Sequence, residues 1–190
     1  LPYSRFEITY GTILGRWALL VSMTTTTVIV AAVLATVTGA TVAAVPLVVT
    51  GLAAAATVAM FVSLSVGLSA GTANTTRAAG GAFGLFILFL FNLWGAAPTG
   101  VRYVLNGFER PGSPAPTWAK AWGQISPLAG LRNAIAESYP DLANVLSGWA
   151  PSVSTPTPVY AEPWFGAVVV LVWIVLPVTA GYLRLRDADL

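Results

Sequence analysis

The pentapeptide GLSAG at residues 67–71 carries the first side chain whose setting could do chemistry. Its G-x-S-x-G spacing is that of a nucleophile elbow, in which a serine attacks a carbonyl carbon. Ser69 would need a base to accept its proton, and that base is usually a histidine. The chain has no histidine, and its only lysine, Lys120, falls in a different segment. An intramembrane hydrolase is therefore disfavoured, and close packing of small residues is favoured.

The composition excludes several other kinds of protein. Only 8% of the 190 residues are charged, against about 25% in soluble domains, and 56% are hydrophobic. A chain this apolar is not disordered. A net charge of +2, with scattered basic residues, does not fit a nucleic-acid binder. Because cysteine and histidine are absent, disulfides, zinc fingers and thiolate or imidazole catalysis are excluded as well. The composition indicates a membrane protein.

The spacing of the charges predicts the membrane spans. The three longest stretches without a charged side chain are residues 17–76, 78–101 and 163–183. A helix needs about 20 apolar residues to cross roughly 30 Å of hydrocarbon, so the first stretch holds two spans and the others one each. We predict an all-α integral membrane protein with four transmembrane helices, at residues 17–37, 47–69, 79–97 and 164–183.

The basic residues predict the orientation. Arg5 and Arg16 precede the first span, Arg77 lies between the second and third, and Arg184 and Arg186 follow the last. Basic residues in short loops mark the cytoplasmic side. We expect a plasma-membrane protein with both visible ends in the cytoplasm. Residues 1–16 would then form a cytoplasmic coupling or interfacial helix, and residues 184–190 a cytoplasmic tail.

The long stretch 98–163 is predicted to lie outside. It contains short apolar faces with helical spacing, and several of them carry tryptophan, which favours the membrane interface. Ser126-Pro127 has the pattern of a helix start, with a capping hydroxyl and a proline at the first helical position. Two interpretations stay open: an outer cap packed on the spans, or a gate that re-enters the membrane.

Small and polar residues in the spans have packing as their favoured role. Glycines at small-residue spacing let helices approach closely. The predicted helix-packing glycines are Gly11, Gly15, Gly67, Gly71, Gly80 and Gly84. Asn92 is the strongest hydrogen-bonding group in any span. We favour interhelical packing for it over contact with a substrate in a transport pathway.

Several motifs resemble those of ABC-2-type permeases, the membrane subunits of ATP-driven transporters. The pattern LP-x-SR followed by G-x-x-x-GR in residues 1–17 resembles the cytoplasmic stretch before the third span of that family. TRAAGGAF at residues 76–83, ISP at residues 125–127 and the ending GYLRLRDADL are similar to the same family, especially its archaeal members.

The resemblance implies a coupling site at the amino-terminal end. In the family, the segment that matches residues 2–15 forms a coupling helix that docks on the ATPase, and the outer loop holds re-entrant gate helices. The implied ATPase contacts are Pro2, Ser4, Arg5, Phe6, Glu7 and Tyr10. Thr12 departs from the lysine that often follows the preceding glycine in the family.

The resemblance also implies the function. The chain would be a permease subunit that moves a substrate across the plasma membrane, with export the family's usual mode. It would work as a homodimer or pseudo-dimer in the bilayer, without nucleic acid. It would bind no cofactor and catalyse nothing itself, because ATP is bound and hydrolysed by a separate ATPase subunit; accordingly, the chain has no P-loop motif.

Two further expectations accompany that reading. The family has six spans and the sequence starts at Leu1 without methionine, so we expect an amino-terminally truncated fragment with two spans upstream. The alternative function is a non-transporting membrane anchor or assembly subunit that binds a partner through its outer loop.

Overall fold

The computed structural model describes residues 4–72, 74–112, 114–146 and 158–187. These residues form helices joined by turns, and no strand occurs among them. A short 3-10 helix at Val159–Ala161 precedes the last α-helix. The α-helices are α1 (Arg5–Val37), α2 (Ala44–Ala70), α3 (Thr75–Leu90), α4 (Leu93–Leu105), α5 (Thr117–Gln124), α6 (Pro127–Ala136), α7 (Pro140–Val145) and α8 (Pro163–Asp187).

The helices are those of a membrane protein. Among the described residues, α1, α2 and α8 are each long and apolar enough to cross a membrane, and the bent pair α3–α4 makes a fourth crossing if it is one span. The predicted all-α membrane fold is confirmed. The chain divides into two compact units, Leu1–Ala82 with Val172–Leu190, and Phe83–Leu171.

Helix α1 is one unbroken helix of 33 residues. It begins with a capping box, in which the backbone N–H of Glu7 donates to the Ser4 hydroxyl at 3.1 Å and the backbone N–H of Ser4 donates to the Glu7 carboxylate at 2.6 Å. No proline occurs between Pro2 and Pro46. Residues 5–16 therefore do not form a helix separate from the predicted first span, because nothing in this stretch breaks the backbone hydrogen bonding.

Helices α1 and α2 pack against each other. The turn between them includes Gly39, whose φ of +88° suits a residue without a side chain. Pro46 lies in the first turn of α2, where a missing N–H removes no helical hydrogen bond. The indole N–H of Trp17 donates to the backbone carbonyl of Ala55 at 3.3 Å, which joins the two helices near the middle of α2.

The predicted third span, residues 79–97, is not a straight helix. Helix α3 ends at Leu90, and α4 starts at Leu93 after a bend of 79°. Asn92 takes a left-handed conformation at the break, with φ 50° and ψ 32°. Asparagine adopts this conformation more readily than most residues, so one backbone position changes the helix direction.

The part of the predicted outer stretch that the structure describes contains α5, α6 and α7. The predicted helix start at Ser126-Pro127 is confirmed: the Ser126 hydroxyl accepts a hydrogen bond from the backbone N–H of Ala129 at 3.2 Å, and Pro127 opens α6. Helix α7 packs on α6, and α5 packs on α4. Residues 147–157 lie outside the described part of the chain.

Candidate functional site

The amino-terminal end of α1 holds the residues for which the resemblance implies coupling. Ser4 and Glu7 are both exposed and bonded to each other in the capping box. The hydrogen bonds from the backbone N–H and the hydroxyl of Ser4 lower the pKa of the Glu7 carboxyl, which precedes the predicted first span. Pro2 and the side chain of Arg5 lie outside the described part of the chain. The Glu7 carboxylate thus caps the start of α1, in addition to any contact that it makes with an ATPase.

Phe6 and Tyr10 form an aromatic cluster with Tyr182 of α8. The ring centroids of Phe6 and Tyr10 are 4.3 Å apart, and those of Phe6 and Tyr182 are 5.8 Å apart with the rings nearly perpendicular. The Tyr10 and Tyr182 centroids are 6.1 Å apart. Edge-to-face pairs at these distances attract each other. The cluster joins the start of α1 to the end of α8. Sequence reasoning missed this contact of Tyr182, because the motif GYLRLRDADL that contains it does not say which helix it meets.

Gly67 lies where α2 crosses α8. A Cβ atom added at Gly67 would overlap the carbonyl oxygen of Pro177 and lie 2.9 Å from the backbone nitrogen of Val178. From the other side, a Cβ added at Gly181 would lie 2.7 Å from the Cα of Gly67. The two backbones therefore meet without side chains between them. Spacing pointed to Gly67, but a sequence does not say which helix it meets, so Gly181 was missed.

Gly71 lies beside the same crossing at ordinary contact distance. A Cβ added there would lie 3.6 Å from the Cδ of Arg184 and 3.7 Å from the Cα of Gly181. Both glycines of the pair at 67 and 71 therefore face α8. Ser69 between them is exposed and lies in the last turn of α2, not in the strand–turn–helix of a nucleophile elbow.

The other four predicted packing glycines have open space around them. A Cβ atom would meet nothing within 4 Å in the described part of the chain at Gly11, Gly15, Gly80 or Gly84. Their packing role stays a prediction. Gly81 instead lies against α2, where an added Cβ would be 2.6 Å from a methyl carbon of Leu68.

Ser63 makes a hydrogen bond between α2 and α8. It is buried, and its hydroxyl donates to the backbone carbonyl of Ile174. Pro177 follows one turn later and supplies no N–H, which weakens the backbone bonding of α8 at this point. The hydroxyl of Ser65 instead donates to the carbonyl of Phe61, four residues earlier in its own helix. Ser63 thus links α2 to α8 by a hydrogen bond beside the glycine crossing.

Asn92 lies at the break of the bent pair α3–α4, where its backbone conformation changes the helix direction. Its backbone carbonyl accepts from the N–H of Ala96 at 3.1 Å, which starts α4. Its side chain folds over Gly95, where an added Cβ would lie 2.5 Å from the Asn92 Oδ1. A side chain at position 95 would therefore force the Asn92 side chain to move. The interhelical and pathway roles of Asn92 stay predictions.

The second unit has a glycine crossing and a buried polar pair of its own. A Cβ added at Gly166 of α8 would lie 2.5 Å from the carbonyl oxygen of Gly130 in α6, and one added at Gly130 would lie 2.6 Å from a methyl carbon of Val169. Nearby, the buried Asn133 donates its amide N–H to the Oε1 of Gln124 at 2.8 Å. Sequence reasoning missed this crossing, although a glycine near the start of each helix was a signal for it.

The comparisons with known proteins bear on the whole chain. A family model described as an ABC-2 family transporter protein matches residues 1–190. The chain belongs to the ABC-2 transporter family. The search of the curated proteins found no match, and neither did the search of the solved structures.

The family resemblance drawn from the motifs is thereby confirmed. As an ABC-2 family member with several apolar helices, the chain is a multi-pass membrane protein and a permease component of an ABC transporter. It is a transporter membrane component and is not itself catalytic.

Proposed function

We propose that this ABC-2 permease exports its substrate across the plasma membrane, driven by ATP that a separate ATPase subunit hydrolyses. We place the ATPase contact at the amino-terminal end of α1. The observation that carries the proposal is the ring cluster of Phe6, Tyr10 and Tyr182, which ties the implied coupling segment to α8. No cofactor is proposed for the chain itself, and ATP would be bound by the partner.

The geometry of α1 suits the transmission of a movement. Its end is capped and exposed, and the Phe6 ring is 51% exposed, so a partner can reach it. The helix continues to Val37 without a break, which makes it a stiff connection from that end into the membrane. Because Tyr182 contacts both rings, a push on this end would move α8 as well as α1.

The clustering of basic residues supports cytoplasmic ends. Gly71, at the end of α2, lies beside Arg184 of α8. Tyr182 of α8 contacts the start of α1, so these three helix ends lie together. Arg77 is in the first turn of α3, shortly after α2 ends. Basic residues concentrated at one end are typical of the cytoplasmic side.

The exposed apolar surface of α1 supports a dimer in the bilayer. Thr9 is the one buried residue among the side chains of α1 that the structure describes. Lipid and a second permease, as a homodimer or pseudo-dimer, would cover the rest. Its exposed large apolar residues include Leu14, Leu19, Met23, Ile29, Val33 and Leu34.

Purification of the full-length protein from native membranes in mild detergent tests the proposal. We expect a P-loop ATPase subunit to co-purify, with ATP hydrolysis that vanadate inhibits. Reproducible absence of an ATPase would contradict the proposal and favour a membrane anchor or assembly subunit. Export is tested by comparing solutes in cells and medium of a deletion strain: export predicts a solute that rises in the cells and falls in the medium, and import predicts the reverse.

A further inference from the structure

We propose that a groove between α1 and α2 binds an anionic phospholipid, with the headgroup phosphate on Arg16 and an acyl chain along α2. The groove has a volume of about 350 Å³. Arg16 and Leu20 line it from α1, and Val58, Phe61 and Val62 line it from α2. Its surface is thus mostly apolar, with one cation.

Arg16 is the group in the groove that can hold a phosphate. The two hydroxyl groups that line the groove already donate their hydrogens to carbonyls of α2. The Thr57 hydroxyl donates to the carbonyl of Ala53 at 2.9 Å, and the Ser65 hydroxyl donates to that of Phe61 at 2.8 Å. No acidic residue lines the groove, and no ion pair in the described ranges includes Arg16. A guanidinium stays charged and presents five N–H donors in a fork that matches phosphate oxygens.

The position of the groove favours a lipid over a soluble anion. Its α2 wall comprises residues 57–65, which fall within the predicted second span. The Trp17 indole bond to Ala55 holds α1 against α2 beside this wall. The apolar wall then lies at acyl-chain depth, while the long side chain of Arg16 can extend its charged end toward the headgroups. An anionic phospholipid carries both a negative charge that complements Arg16 and an apolar chain that matches the α2 wall.

Native mass spectrometry of the full-length protein tests this inference. The protein in non-ionic detergent is titrated with phosphatidylglycerol or phosphatidylcholine, and the fraction carrying one lipid gives an apparent Kd. We expect phosphatidylglycerol to bind more tightly than phosphatidylcholine. Arg16→Gln should weaken phosphatidylglycerol binding about fivefold, the factor for one basic residue near anionic lipid, and leave phosphatidylcholine binding unchanged.

Two controls keep the test specific. Arg77→Gln removes an exposed arginine outside the groove and should leave both affinities as in wild type. Val58→Trp fills the groove and should weaken both lipids. Unchanged phosphatidylglycerol binding in Arg16→Gln overturns the inference.

If that variant does not insert, a phosphatidylglycerol with a photoreactive acyl chain should cross-link the wild type within residues 57–65, and labelling elsewhere overturns the inference. Because neither readout involves ATP, the result is independent of the transport proposal.

Discussion

Trp94 of α4 and Trp122 of α5 exchange two hydrogen bonds. The indole N–H of each donates to the backbone carbonyl of the other at 3.0 Å, and the rings stack with centroids 4.6 Å apart and planes 12° apart. Trp94 lies two residues after the left-handed Asn92, at the start of α4. The pair holds α5 against α4, the helix that follows the bend.

Replacing Trp122 by phenylalanine should loosen this contact. The variant keeps an aromatic ring but loses one indole N–H, and it leaves the Trp94 carbonyl without that donor, so we expect a loss of about 1 kcal/mol in the free energy of unfolding. Thermal unfolding of the purified protein in detergent measures it. The matched control is Trp118→Phe in the same helix, since Trp118 is half exposed. Equal effects of the two variants would contradict a special role for the pair.

The glycine crossing of α2 and α8 predicts a site-specific penalty. Gly67→Ala should destabilise the protein by about 1–3 kcal/mol, because its Cβ has no room against Pro177 and the helices must separate. Gly51→Ala, in the same helix but with nothing within 4 Å of an added Cβ, should be neutral or stabilising. Denaturant titration compares the two variants. A Gly67→Ala protein as stable as wild type would show that the backbones do not meet there.

The hydrogen bond of Ser63 predicts a difference between two serines in one helix. Ser63→Ala should cost about 0.5–1.5 kcal/mol, since it removes a bond from α2 to α8 beside Pro177. Ser65→Ala removes only a bond within α2 and should cost less. The same unfolding measurement separates them, and the opposite ranking would rule out Ser63 as the tie between these helices.

The charge spacing predicted where long apolar helices lie, because a charged side chain is costly inside a membrane. The predicted spans at 47–69 and 164–183 fall inside α2 and α8 for this reason. The bend at Asn92 did not follow, because FILFLFNLW is apolar on both sides and the change lies in one backbone conformation. Asn92 followed by Gly95 can be recognised as a signal of the bend only after the bend has been seen in the structure.

The candidate site was predicted in part for a similar reason. Spacing within one helix pointed to Gly67 and Gly71, but their partner Gly181 is more than a hundred residues away and has no paired glycine of its own. Phe6 and Tyr10 came from the family resemblance, whereas Tyr182 joins them only through the fold. Contacts between distant helices depend on which helices meet, and local patterns do not contain that information.

The coupling proposal predicts a separation of charge from capping at Glu7. Glu7→Gln can keep the capping box and removes the charge, whereas Ser4→Ala removes the capping hydroxyl and keeps the charge. If the ATPase reads the charge, Glu7→Gln should lower ATP hydrolysis by the purified complex severalfold and Ser4→Ala should lower it less. Full activity in Glu7→Gln, with reduced activity in Ser4→Ala, would assign Glu7 to helix capping alone.

The contact between the start of α1 and an ATPase subunit is the central claim, and site-specific photo-cross-linking tests it most directly. A photoreactive amino acid is placed at position 7, and in a matched variant at position 36 near the other end of α1, where both native residues are exposed. After irradiation of native membranes, the account predicts a cross-link from position 7 to a P-loop ATPase and none from position 36. A cross-link from position 36 to the ATPase would contradict it, and so would the absence of a cross-link to the ATPase from both positions.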